Sequence, residues 1–206
     1  MRLSEDENYF EIEEKLLNEG YRFICGVDEA GRGPLAGPVF AAAVVMDRER
    51  IIEGVRDSKK LTPKKREKLF EEIIKESIAY SVAMVDSKII DEININNATF
   101  LVMKNAIENL KIEPDIVLVD GYEIPNLNFN QRAIIKGDRK SYSIACASIL
   151  AKVSRDRYIV EISSKYPLYK FEKHKGYGTK EHIEILQKYG PCEIHRISFL
   201  KNILSL

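Results

Sequence analysis

The sequence predicts an α/β protein: a mixed five-stranded sheet flanked by helices, with a helical appendage at its C-terminal end. Three observations predict it. Five short runs of β-branched or alternating apolar residues recur along the 206-residue chain, each bounded by turn formers. Longer segments with apolar residues at helical spacing lie among them. Beyond residue 165 the strand-like runs stop, and basic, aromatic and short helical segments take over.

Residues 5–18 are amphipathic, with Tyr9, Phe10, Ile12, Leu16 and Leu17 as the apolar set, and Gly20 stops the helix. Residues 22–28 are strand-like. Gly31, Gly33, Pro34, Gly37 and Pro38 then break regular structure. Residues 39–46 are small or β-branched and suit a strand buried on both faces. Thr62-Pro63 reads as an N-cap followed by proline at the first helical position, opening a helix to about residue 77. Residues 78–85 predict a third strand. Residues 90–110 are helical in pattern, with an interruption at 94–97. Residues 116–119 and 131–135 complete the strands, and 141–164 form a long helix. Residues 166–177 are irregular, and 179–188 form a short helix ended by Gly190-Pro191. The three early strands predict an antiparallel meander. The two later ones are expected to add in parallel.

Composition narrows the function. No apolar run approaches the roughly 20 residues that span a bilayer, and the acidic N-terminal residues lack an apolar signal core. Cys25, Cys146 and Cys192 are too few and too scattered for a disulfide framework or a zinc site. A reducing cytoplasm is the expectation. Lys and Arg total 32, as do Asp and Glu, which argues against a protein that coats nucleic acid. Between residues 131 and 180, however, twelve basic residues face four acidic ones. A local basic surface can hold a polyanion whatever the total charge; a solvated lysine-rich face is the plainer reading.

The chemistry concentrates at Asp28-Glu29-Ala30-Gly31-Arg32-Gly33. Asp28 ends the first predicted strand, Asp120 the fourth, and Asp138 lies just past the fifth. Carboxyl ends of neighbouring parallel strands share one sheet edge, the usual place for a site. Clustered carboxylates repel one another, and a hard divalent cation relieves that repulsion. Two such ions about 3.5–4 Å apart serve phosphodiester cleavage. A single strand-end Asp is more often a cap or turn residue; three at one edge, with Glu29 and Arg32 beside them, favour a metal site. The glycines let backbone N–H groups approach a phosphate or sugar oxygen. Gly31-x-Gly33-x-x-Ala36 is a weak dinucleotide motif, because a return to strand follows where a helix should open. Asp156, mid-helix, reads as structural, and His174, His182 and His195 lack metal-site spacing. Ser58 and Lys59 are candidate phosphate contacts; solvent exposure is their plain alternative. Ser148 and Lys152, four apart on the long helix, could face the site or belong to a packing face.

The segment Val27-Asp28-Glu29-Ala30-Gly31-Arg32-Gly33-Pro34-Leu35-Ala36-Gly37-Pro38-Val39 resembles the signature of ribonuclease HII, the type 2 ribonuclease H family. Further matches follow in order: Asp57-Ser58-Lys59-Lys60-Leu61, Val119-Asp120-Gly121, Lys136-Gly137-Asp138, the stretch 147–156, His174-Lys175-Gly176-Tyr177-Gly178-Thr179, and 190–199. The resemblance implies a ribonuclease H-like fold and hydrolysis of RNA in RNA–DNA hybrids. It also implies incision 5′ of single ribonucleotides in duplex DNA, leaving 3′-hydroxyl and 5′-phosphate ends. It carries the four acidic positions to Asp28, Glu29, Asp120 and Asp138 as ligands of two Mg²⁺ or Mn²⁺ ions. It makes Gly31, Arg32 and Gly33 the surroundings of the ribonucleotide 2′-hydroxyl and neighbouring phosphates, and Tyr177 the substrate-sensing tyrosine.

One catalytic unit over residues 1–206 is therefore expected, with an N-terminal helix in about 1–20 and a substrate-gripping appendage from about 165. A monomer is expected; the apolar residues 198–204 could serve a partner such as a replication clamp, and a packed end is the plainer reading. The sister family, ribonuclease HIII, usually carries an extra N-terminal domain. About twenty residues precede the first strand here, too few for one. Arg32 and Tyr177 also favour the HII type. A binding module without catalysis is the rival from another class, and the presence of all four acids argues against it.

Overall fold

In a computed structural model of the chain, residues 9–55, 58 and 61–204 are described. The elements run α1 (Glu11–Asn18), β1 (Ile24–Ala30), β2 (Val39–Met46), α2 (Pro63–Glu76), β3 (Ser77–Val85), α3 (Ser87–Glu108), β4 (Ile116–Asp120), β5 (Gln131–Ile134), α4 (Tyr142–Ser163), α5 (Phe171–His174), α6 (Lys180–Tyr189) and α7 (Ile197–Leu204). One sheet has the strand order β3-β2-β1-β4-β5. The pairs β1–β2 and β2–β3 are antiparallel; β1–β4 and β4–β5 are parallel. The mixed sheet matches the sequence-based expectation. Its antiparallel half holds even though α2 interrupts the meander. The parallel β4–β5 step is made by residues 121–130 with no helix in between.

β2 explains the layering. Every residue from Val39 to Met46 is buried, because the strand is covered on both faces. Ala42, Val44 and Met46 join the core under α2 and α4; Val39, Ala41, Ala43 and Val45 join the core under α3. This is period-two alternation with both faces covered. The small residues let helices sit close. At Gly26 a Cβ would lie 2.2 Å from the Ser143 carbonyl carbon, so α4 rests directly on the β1 backbone.

The caps follow the sequence. Thr62 accepts from Lys65 N–H at 3.3 Å, and Ser141 from Ile144 N–H at 3.2 Å. Glu13 of α1 accepts from the Ser141 hydroxyl at 2.6 Å and Ser143 N–H at 2.9 Å, docking α1 on the start of α4. Described α1 begins at Glu11; the remainder of the predicted 5–18 helix lies partly outside the described residues. The expected interruption in α3 is a single residue, Asn94, at φ 66° and ψ 165°. Its side chain accepts from Asn96 and Asn97 N–H at 3.0 and 3.1 Å, restarting the helix. β1 runs two residues beyond Asp28, so this acid lies inside the strand rather than at its end.

Beyond α4, a third core gathers Ala36, Ile159, Phe171, Leu186 and Leu200. The helices after residue 165 thereby pack on the loop that follows β1. No helix among the described residues is long and apolar enough to cross a membrane.

Candidate active site

The antiparallel–parallel boundary of the sheet places β1 beside β4, with Val27 opposite Val119. Asp28 and Asp120, one residue on in each strand, therefore come together at the same level. Carboxylate oxygens of Asp28, Glu29 and Asp120 all lie within 4.8 Å of one another. Asp28 is buried. Its carboxyl pKa is raised well above the usual range by burial, then by the charges of Glu29 and Asp120. Glu29 is also raised, chiefly by burial, with Arg32 opposing. Three oxygen donors in a confined, mutually repelling set fit a hard divalent cation.

Each acid is oriented. Asp28 accepts Glu29 N–H at 2.7 Å, and the Ser148 hydroxyl, in the same cleft, opposes the rise in its pKa. Ser148 also pairs with the Ser58 hydroxyl at 2.8 Å. Asp120 accepts Gly137 N–H at 2.6 Å. This bond ties β4 to the short 3₁₀ turn Gly137–Arg139, where Asp138 is buried. Asp138 lies outside the three-carboxylate group, held beside it by the turn, and its carbonyl accepts the Tyr9 hydroxyl at 2.5 Å.

A cleft of about 290 Å³ is lined by Asp28, Glu29, Asp120, the Gly31–Gly33 loop, Ser58, Ser148, Lys152 and Tyr177. It brings together most of the residues singled out in the sequence. Lys59 lies outside the described residues. Arg32 donates to Asn96 Oδ1 at 2.7 Å and sits 3.8 Å from Glu29 Oε1. Gly33 faces the Tyr177 ring, 3.7 Å away from where its Cβ would be. Tyr177 is 43 % exposed, so its ring is available at the cleft mouth. Lys152 pairs with Asp156 at 2.7 Å.

The site has supports that sequence reasoning missed. Arg196 donates to the carbonyls of Gly37, Arg32 and Gly31 at 2.9, 2.9 and 2.6 Å. Arg155 donates to those of Pro38, Lys175 and Ala36 at 3.1, 3.1 and 3.2 Å. Both are fully buried. Asn96 was visible only as part of an interrupted helix. The basic excess over residues 131–180 also shrinks: besides Arg155, Arg157 is paired with Glu67 and Glu71, and Lys170 with Glu181.

Comparison with known proteins decides the family. The ribonuclease HII family model matches residues 25–202. The chain belongs to the ribonuclease HII family. Its relative in Caldicellulosiruptor bescii, a ribonuclease HII, is 98 % identical over 206 residues, covering 100 % of both chains. Among solved structures, the ribonuclease H2 of Pyrococcus horikoshii OT3 superposes with a TM-score of 0.75 at 31 % identity, over 89 % of this chain and 98 % of that one. The ribonuclease HII of Archaeoglobus fulgidus, solved in complex with PCNA, gives 0.73 at 29 % identity, over 85 % and 94 %. A ribonuclease HII is a divalent-metal-dependent endoribonuclease acting on RNA–DNA hybrids, and that is the activity of this chain.

Proposed function

We propose that this ribonuclease HII also incises on the 5′ side of single ribonucleotides embedded in duplex DNA, leaving 3′-hydroxyl and 5′-phosphate ends. One observation carries the reading: three carboxylates, the Gly31–Gly33 loop and Tyr177 line the same cleft. Asp28, Glu29 and Asp120 would hold two Mg²⁺ or Mn²⁺ ions in the reacting complex, with Asp138 on the neighbouring turn as a further ligand. When bound, the ions would activate a water and stabilise the leaving oxygen.

The protein's own groups do the rest. The Glu29 N–H aims the Asp28 carboxylate, and the Ser148 hydroxyl favours its ionised form. Gly137 N–H aims Asp120. With the carbonyls of Gly31 and Arg32 turned inward to Arg196, the loop's opposite side faces the cleft and reads the 2′-hydroxyl, the group that marks RNA. Arg32 takes an adjacent phosphate, and Ser58, Lys59 and Lys152 supply further backbone contacts. Tyr177 stacks on the following sugar. Recognition rests on sugar and phosphate, with little base readout.

The same reading takes the chain as one ribonuclease H-like catalytic unit, a monomer in the cytoplasm. Cys25, Cys146 and Cys192 are all free thiols, as suits a reducing compartment. We propose no clamp contact through residues 198–204, because Leu200 is fully buried and Phe199 packs against the sheet core.

The test is cleavage of a DNA duplex carrying one ribonucleotide, in Mg²⁺ and in chelator. Metal-dependent incision 5′ of that ribonucleotide is expected. Folded protein that cuts only a continuous hybrid overturns the reading and favours a ribonuclease HIII-like specificity.

A further inference from the structure

Arg155 stands apart from the other basic residues of α4. It is fully buried, yet every acceptor it hydrogen-bonds among the described residues is a neutral carbonyl. Those carbonyls belong to two segments remote in sequence. Ala36 and Pro38 lie on the loop after β1, and Lys175 lies two residues before Tyr177. Gly31 packs on the same guanidinium: a Cβ there would be 2.1 Å from its Nε. The Tyr177 ring centroid lies 5.8 Å from Cζ, within cation–π range. The loop and the tyrosine segment also meet directly, through Leu35 N–H to the Gly176 carbonyl at 2.8 Å. Arg196 offers the contrast. Its three acceptors, Gly31, Arg32 and Gly37, all lie on the loop.

We propose that Arg155 is a positioning residue that joins the Gly31–Gly33 loop to Tyr177 as one rigid reader, and thereby sets selectivity for a ribonucleotide followed by deoxyribose. The inference rests on the proposed reading of those two elements. Its physical basis is the planar fork of guanidinium, which bonds several acceptors in a fixed geometry; a lysine ammonium is a point charge without that fork. Arg155 reaches neither the acids nor the substrate. It holds the spacing between the group that reads the ribose and the ring that checks the next sugar.

The test measures kcat/KM on two duplexes that differ only in the sugar 3′ to the scissile ribonucleotide, deoxyribose or ribose. In R155K the ratio is expected to fall at least about tenfold, since a misplacement near 1 Å costs this much or more. R155Q, which keeps two donors without charge, is expected to do the same and serves if R155K does not fold. R196K is expected to lower both rates and leave the ratio within about threefold, its contacts being confined to one segment. An unchanged ratio in folded R155K or R155Q overturns the inference, as does an equal fall in R196K. Y177A separates the two levels. If it leaves the ratio unchanged, the reading of Tyr177 fails. If it lowers the ratio while the Arg155 variants do not, that reading stands and the positioning role falls.

Discussion

Gly31 combines a backbone requirement with a packing one. Its φ is +99°, and an added Cβ would strike the Arg155 side chain. G31A is expected to cost about 1–3 kcal/mol of stability, read by denaturant unfolding, and to depress hybrid cleavage more than the stability loss explains. Ser148 lies in the same cleft as Asp28. S148A removes a hydroxyl that favours the ionised Asp28 and bonds Ser58, and is expected to weaken divalent-ion binding about tenfold, measured by calorimetric titration. The glycines and acids were legible as residue types, because phosphate and metal chemistry demand them. Arg155 and Arg196 were not, since an arginine that bonds carbonyls looks in sequence like one that binds phosphate.

Two elements place the site, β1 and α4, and their contact depends on Gly26. A methyl there would lie 2.2–2.5 Å from backbone atoms of Ser143 and Ile144, with nothing flexible to yield. G26A is expected to destabilise by about 1–3 kcal/mol and to shift Ser148 away from Asp28. A matched pair would be a lowered unfolding midpoint and weakened metal binding. Thr62 gives a milder case. T62A loses the α2 cap at a cost of about 1 kcal/mol, with hybrid cleavage unchanged at temperatures below unfolding. Strand and helix existence was legible because burial on two faces and capping leave local patterns. The β1 boundary was displaced toward Ala30, since Asp28 and Glu29 read as polar punctuation. Only pairing with β2 shows that they continue the ladder.

For the whole molecule, the region after residue 165 forms the back of the site. Gly37 N–H donates to the Ile194 carbonyl at 2.8 Å, and Ala36 bridges His195. Behind Tyr177 runs a chain of neutral imidazoles. Cys192 N–H donates to His195 Nδ1 at 2.9 Å, which leaves His195 Nε2–H to donate to His182 Nε2 at 3.0 Å. His182 Nδ1–H then donates to the Tyr177 carbonyl at 2.9 Å. Burial, then the neighbouring His182, lowers the His195 pKa from 6.5 to about 4. Between these values the unfolded chain binds a proton that the fold refuses. Stability is therefore full above pH 6.5 and is lost as pH falls toward 4, by up to roughly 3 kcal/mol from this group. Unfolding curves across that range should show the slope, and H195N should flatten it.

The sequence by itself determined the sheet, the order of its strands, and the chemical types that meet a metal and a phosphate. Burial patterns, caps and acidic motifs are local, and a local cause leaves a local trace. Tertiary structure alone decided which side chains share the cleft, that Asp138 stands on a neighbouring turn, and which carbonyls the two buried arginines hold. Those outcomes depend on segments more than a hundred residues apart brought to hydrogen-bond distance. The motif at Gly31 names its ligand chemistry; the arginines behind it determine its shape.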